Sequence, residues 1–140
     1  MRCSRRKVTL KFTTMKKFLV LPLLLIAIAS FAQDAQEIIG NPIKVGNLLV
    51  AENDFPEVMD CVDAIEACRS LGKGWRLPNK TELNILYKNS KKIGGFKDNN
   101  YWSSTFYGAY SAWAQNFGNG SQPYNHKNYY SFYVRAVKTL

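Results

Sequence analysis

The 140-residue chain carries 19 Lys+Arg against 10 Asp+Glu, a formal net charge of +9, which at face value points to a polyanionic partner. The charge is unevenly placed: residues 1–32 hold seven basic side chains and no acidic ones, leaving twelve against ten, a net of +2, on the other 108 residues. That near-neutral remainder gives general nucleic-acid binding little electrostatic support. It is long enough for one domain with one core, and too short for two.

Met15-Lys16-Lys17, the apolar run Phe18 to Ala29, and Ser30-Phe31-Ala32 before Gln33 form the n-region, h-region and cleavage site of a secretory signal. The run falls short of the roughly 20 residues that cross a bilayer. Residues 1–32 are therefore expected to be a signal peptide, with Met15 as the true start. The mature chain is expected to be periplasmic, surface-bound or secreted, with no stable membrane span. Residues 33–47, punctuated by Gly, Asn and Pro, are expected to be a flexible lead-in to a domain spanning 48–140.

Leu48 to Ala51 has strand composition, and Asn53-Asp54-Phe55-Pro56 turns the chain. Asp60 is a candidate N-cap for a helix running to about Leu71, where Gly72 and Gly74 stop it. Cys61, Ala64, Ile65, Cys68 and Leu71 share one face of that helix. Seven residues of helix separate the two thiols by about 10 Å, too far for a disulfide. Both are expected to be small buried hydrophobes. Cys3 lies in the N-terminal extension, and the single histidine, His126, is isolated in sequence, so no metal set is expected.

Trp75-Arg76-Leu77-Pro78 forms an extended link to a second helix, started by Asn79 with Glu82 three residues on, a capping-box spacing. Leu83, Leu86 and Tyr87 supply its apolar face, and Gly94-Gly95 end the segment after Lys91-Lys92. Lys88, Lys91, Lys92 and Lys97 read as a solvated basic face.

Strand composition then takes over. Tyr101 to Thr105 is one strand; Ala112 to Phe117 alternates, with Trp113, Gln115 and Phe117 on one side. Gly118-Asn119-Gly120-Ser121 is a hairpin turn. Gln122-Pro123-Tyr124 is expected to be another turn, and Tyr129 to Lys138 a last alternating strand. Two helices followed by antiparallel strands argue an α+β fold.

In order, these blocks resemble the Lcl C-terminal domain family. The residues that carry the likeness are Asp63-Ala64-Ile65 with Cys68, Gly74-Trp75-Arg76-Leu77-Pro78-Asn79, Glu82-Leu83, Tyr101-Trp102-Ser103-Ser104-Thr105, Ala112-Trp113, Phe117-Gly118 and Tyr133-Val134-Arg135-Ala136-Val137. The likeness covers roughly residues 48–138. It implies a C-type-lectin-like single domain, two helices packed on short antiparallel strands and hairpins, related to the formylglycine-generating enzyme superfamily. It also implies an exported bacterial protein in a family whose usual suggested role is adhesion or glycan binding. Cys61 departs from the pattern, standing where an aromatic such as Trp is expected.

Enzymatic readings find no complete set of groups. Calcium-dependent sugar binding needs carboxylates around a Pro turn, yet Tyr124 follows Pro123 and no acid follows Asp98. The superfamily's oxidative activity needs cysteines near the C-terminal core, and both mature ones sit on the first helix. Ser103 and Ser104 lack an elbow context, and His126 lacks an acidic orienter. No catalytic residue and no cofactor is expected.

Aromatic density is the remaining signal. Twelve of residues 101–133 are Phe, Trp or Tyr, interleaved with amides and hydroxyls. Rings stack on apolar sugar faces while amides bond hydroxyls, so Tyr107, Tyr110, Tyr124 and Tyr129, with Asn116, Asn119 and Asn125, are the candidate ligand residues. Trp102, Trp113, Phe117 and Phe132 are assigned to the core by alternation and motif position. Arg76 and Arg135 are read as ion pairs with Glu82, Asp63 or Glu66, in preference to an anion-binding pair. The expected function is a non-enzymatic, calcium-independent binding or adhesion domain for a glycan or a cell-surface protein. The alternative is a structural module of the envelope with no small-molecule site.

Overall fold

The computed structural model describes Ser30 and residues 32–140; the expected signal segment and start site otherwise lie outside these residues. In chain order the elements are a helical stretch at residues 32–39 (α1), β1 (Ile43–Val45), β2 (Leu48–Val50), α2 (Cys61–Ser70) and β3 (Trp75–Arg76). After these come α3 (Lys80–Lys88), α4 (Ser90–Ile93), β4 (Asn100–Tyr107), β5 (Ser111–Asn116), β6 (Tyr124–His126) and β7 (Val137–Thr139). The strands form two antiparallel sheets, β1-β2-β7-β3 and β4-β5-β6, and the fold is α+β.

Residues 33–47 are not a frayed lead-in. Ile38 is buried, and its carbonyl and that of Ile39 accept the Asn53 and Glu52 N–H groups. β1 pairs with β2 through a two-residue Gly46-Asn47 turn. Gly46 takes φ +61 there, the geometry that a hairpin with glycine at the first turn position requires. The polar, punctuated composition hid this because α1 and β1 bury few side chains of their own.

Both longer helices begin where their caps are. Asp60 Oδ1 accepts from Val62 and Asp63 N–H, each at 2.9 Å. On α3, Asn79 Oδ1 accepts from Glu82 N–H while Glu82 Oε2 accepts from Asn79 N–H, both at 2.8 Å, a complete capping box. Cys61, Ala64 and Cys68 form the buried face of α2, and Leu83 and Leu86 that of α3.

The second sheet lies between these helices. Trp102, Ala112 and Ala114 face the α2 cluster; Tyr101 and Phe117 join Leu83 and Leu86 in the α3 cluster. Both cysteines are free and buried. Burial pushes the Cys68 thiol up to about 12 and, with Asp60 adding to it, that of Cys61 to about 11.

The C-terminal stretch corrects the expectation of one long alternating strand. Only Val137–Thr139 pairs continuously; before it, Phe132 bridges Met59 and Tyr133 bridges Tyr101. Val134, Arg135, Ala136 and Val137 are all buried, so alternation is lost. The segment is covered on both sides, with Val134 and Ala136 carbonyls accepting Phe55 and Ala51 N–H groups. Gln122-Pro123 is not the expected turn: the Ser121 and Pro123 carbonyls accept Asn116 and Ala114 N–H, so the chain runs extended beside β5 into Tyr124, which opens β6.

Arg76 forks onto Glu82, both contacts at 2.7 Å, and reaches Thr139 Oγ1 at 2.9 Å. Hydrogen bonding to Arg76 holds the Glu82 carboxyl below its ordinary range, and raises the guanidinium's own pKa. Arg135 pairs with Asp54 at 2.6 Å, and with none of Glu82, Asp63 or Glu66. Asp54 Oδ2 also accepts the Tyr101 hydroxyl at 2.7 Å, and that hydroxyl accepts Lys97 N–H. What reads in sequence as a solvent turn at residues 53–56 thus supplies the buried counter-charge.

Candidate aromatic binding face

Register decides which rings meet. Trp113 lies opposite Tyr124, Ser111 opposite His126, and Tyr107 opposite Ser111, so Tyr107, Trp113, Tyr124 and His126 share one face of the β4-β5-β6 sheet. This is the face on which α3 packs. α3 has nine residues and spans about 13 Å, whereas the six residues of β5 span about 20 Å. The helix starts too late to roof the β4–β5 hairpin tip, and the rings beyond its first turn stay open to solvent.

They form two groups. Tyr107 stacks on Tyr124 with centroids 4.1 Å apart, and Trp113 meets both edge-on at 5.4 and 5.5 Å. Lys80, the first residue of α3, sets its ammonium 3.1 Å from the Trp113 ring centroid, a cation–π contact. Thr105 Oγ1 accepts Lys80 N–H at 2.9 Å and Gln122 Nε2 donates to Lys80 carbonyl at 3.0 Å, which anchors that residue's backbone to β4 and to the β5–β6 loop.

The second group is a parallel pile: His126 stacks on Tyr129 at 4.0 Å and on Tyr110 at 6.1 Å, with interplanar angles of 14° and 11°. Tyr110 and Tyr129 are the most exposed aromatics here, at 71% and 82%. Asn128 N–H donates to His126 Nδ1 at 3.4 Å, and Tyr129 N–H to the His126 carbonyl, so a tight turn holds the pile.

The four candidate tyrosines therefore share one region, but the candidate asparagines do not. Asn116 Oδ1 accepts Gly118 and Asn119 N–H, its Nδ2 donates to Asn100, and Asn119 Oδ1 accepts Ser121 N–H. Both shape the far turn of the β5–β6 hairpin. Asn125 pairs with Ala112 and lies on the other side of the strand from Tyr124 and His126. Phe106 lies on that other side too, its ring 4.8 Å from the Lys127 ammonium.

Trp102 and Phe117 are core, as the alternation predicted, and Phe132 packs half-buried against Trp102. Trp113 is not core: it is half-exposed within the aromatic face. Alternation assigned its side correctly, but alternation carries no information about how far along that side the helix reaches. Lys80 and His126 were the residues missed; Lys80 could have been found from its position on the first turn of a helix that packs on this sheet.

Ser103 is buried and its hydroxyl bonds only to the Thr105 backbone, donating to the carbonyl and accepting from the N–H. Among the described residues no three His, Cys, Asp or Glu side chains converge as a metal set, and no helix is long and apolar enough to cross a membrane.

The family model of the Lcl C-terminal domain matches residues 27–138. The match reaches further toward the N-terminus than the motifs at 48–138, taking in α1 and β1, in keeping with their packing into the fold. No curated protein matches the chain. With most of its length aligned to that model, the chain belongs to the Lcl C-terminal domain family.

Proposed function

We propose that this is an exported, non-enzymatic binding domain that recognises a glycan without calcium, through the ring face built by Tyr107, Tyr110, Trp113, Tyr124, His126 and Tyr129. One observation carries the reading: large rings stand exposed on a rigid antiparallel sheet, fixed by mutual stacking rather than buried. Exposed aromatics in a contiguous patch mark interaction surfaces, and flat rings beside hydrogen-bonding groups match the two chemistries of a sugar. The side chains of the face include no carboxylate, so a calcium bridge to sugar hydroxyls has no ligands there.

Stacking within the face narrows the contact. The Tyr107 and Tyr124 rings cover each other and Lys80 covers Trp113, whereas Tyr129 and Tyr110 form the two ends of their pile. Those ends are the proposed stacking platforms. A glycan array probed with the purified protein, with and without chelator, tests this. Binding that survives chelator and is lost in Tyr110→Ala and Tyr129→Ala is expected. Absence of binding to every glycan would favour a structural role in the envelope, and chelator-sensitive binding would overturn the calcium-independent reading.

A further inference from the structure

The other end of α3 carries a second, separate feature. Lys80 opens the helix at the aromatic face; Tyr87 and Lys88 close it at a groove of about 650 Å³, which runs along α4 to Asp98 and Phe117. That volume lies within the range of small-molecule sites. Tyr87 gives the groove an aromatic floor, and Phe117, almost fully buried, meets that ring edge-to-face, with centroids 5.8 Å apart at 86°. Lys88, Lys91 and Lys92, all exposed, line its rim.

The rim charge is not neutralised internally. Among the described residues the ion pairs are Arg76–Glu82 and Arg135–Asp54, so none of the three lysines is paired. Asp98 is the one acid lining the groove, and three cations against it leave a net of +2. The walls are held in place from both sides. Asn89 caps α3 through its N–H and donates its side chain to the Ile85 carbonyl. Gly120 brings the opposite loop so close that a Cβ there would lie 2.7 Å from the Tyr87 ring.

We infer that this groove is a binding site for a phosphorylated small molecule with a flat ring, the ring lying on Tyr87 and the phosphate among Lys88, Lys91 and Lys92. A phosphate monoester carries about −1.5 to −2 charge at neutral pH, which matches the local excess. Lysine serves phosphate as a mobile point charge and needs no fixed fork. The inference stands apart from the glycan reading, because the two surfaces lie at opposite ends of α3.

Phenyl phosphate is the probe, titrated into the ¹⁵N-labelled chain and followed by amide chemical shifts, beside phenol, inorganic phosphate and benzoate. Shifts confined to residues 87–98 and 117–120 are expected, with phenyl phosphate binding at least about tenfold tighter than each control, since floor and rim then both contribute. The triple variant Lys88→Gln, Lys91→Gln, Lys92→Gln is expected to weaken binding about tenfold or more, and Asp98→Asn to tighten it about two- to fivefold. These side chains are at the surface, and an unchanged amide spectrum confirms that each variant folds. Inorganic phosphate binding as well as phenyl phosphate, benzoate matching it, shifts mapping to the ring face, unchanged affinity in the triple variant, or no response up to roughly 10 mM would each overturn the inference.

Discussion

Arg135 Nε donates to Asp54 Oδ1 at 2.6 Å although 81 residues separate the two in sequence. The pair is closed off from water, with side-chain exposures of 1% and 12%. Arg135 also donates to the Ala51 and Gly94 carbonyls and lies over the Phe96 ring at 4.3 Å. Residues 51–54, 94–97 and 135 are thereby tied to one guanidinium.

Removing either partner leaves the other charge buried and unpaired. Asp54→Ala is expected to destabilise the fold by about 3–5 kcal/mol, read from urea unfolding. Asp54→Ala and Arg135→Met combined should cost clearly less than the sum of the two single changes. Strict additivity would show that the pair acts independently.

Glu82 caps α3 and accepts the Arg76 fork, so its carboxyl must be ionised to do both. Its pKa is lowered on folding from an ordinary value of 4.5. The stabilisation it provides is therefore complete above that value and is lost as pH falls through the lower, folded one. Wild type should lose more stability than Glu82→Gln between about pH 5 and pH 3. At neutral pH, Glu82→Ala should cost about 1 kcal/mol through the cap alone. Parallel acid titrations of the two proteins would refute the assignment.

Thiol chemistry offers a check on α2. Cys61 and Cys68 are buried, with pKa values raised to about 11 and about 12. Native protein should leave both unlabelled by iodoacetamide at about pH 8, and unfolding should expose both. A raised thiol pKa stabilises the fold fully below the unfolded value of 9.0 and is lost as pH climbs above it. Peptide mass mapping distinguishes these two from Cys3.

Gly120 and Gly108 separate crowding from backbone strain. Both have positive φ, +79 and +67, but a Cβ at Gly120 meets the Tyr87 ring whereas Gly108 has open space. Gly108→Ala should cost about 1 kcal/mol, and Gly120→Ala roughly 2–3 kcal/mol. Equal melting temperatures for the two would contradict the packing of the 117–121 turn on α3.

Local chemistry made most elements readable. The caps at Asp60 and Asn79, the glycine stops and the hairpin turn at 118–121 are all short-range devices, and each appears where its residues stand. Arg76–Glu82 was legible for the same reason, six residues apart on a capping box. Asp54–Arg135 was not, because nothing near residue 54 distinguishes a buried acid from a turn acid. Trp113 was assigned to the wrong environment because exposure there depends on where a helix from another segment begins. The exposure of the four tyrosines was legible from their loop neighbours, and the turn roles of Asn116 and Asn119 were not, since turn-forming and free amides share the same local sequence.

β7 is flanked by β2 on one side and β3 on the other, so the β1–β2 hairpin joins its sheet only through residues 137–139. The bridges at Phe132 and Tyr133 also tie the same tail to Met59 and Tyr101. These pairings are long in sequence, the kind that slow folding. A chain still lacking this tail has helices and hairpins but neither its first sheet nor its central ion pair. Residues 132–139 therefore act as the clasp of the domain: without them the first sheet loses its central strand and Asp54 loses its partner.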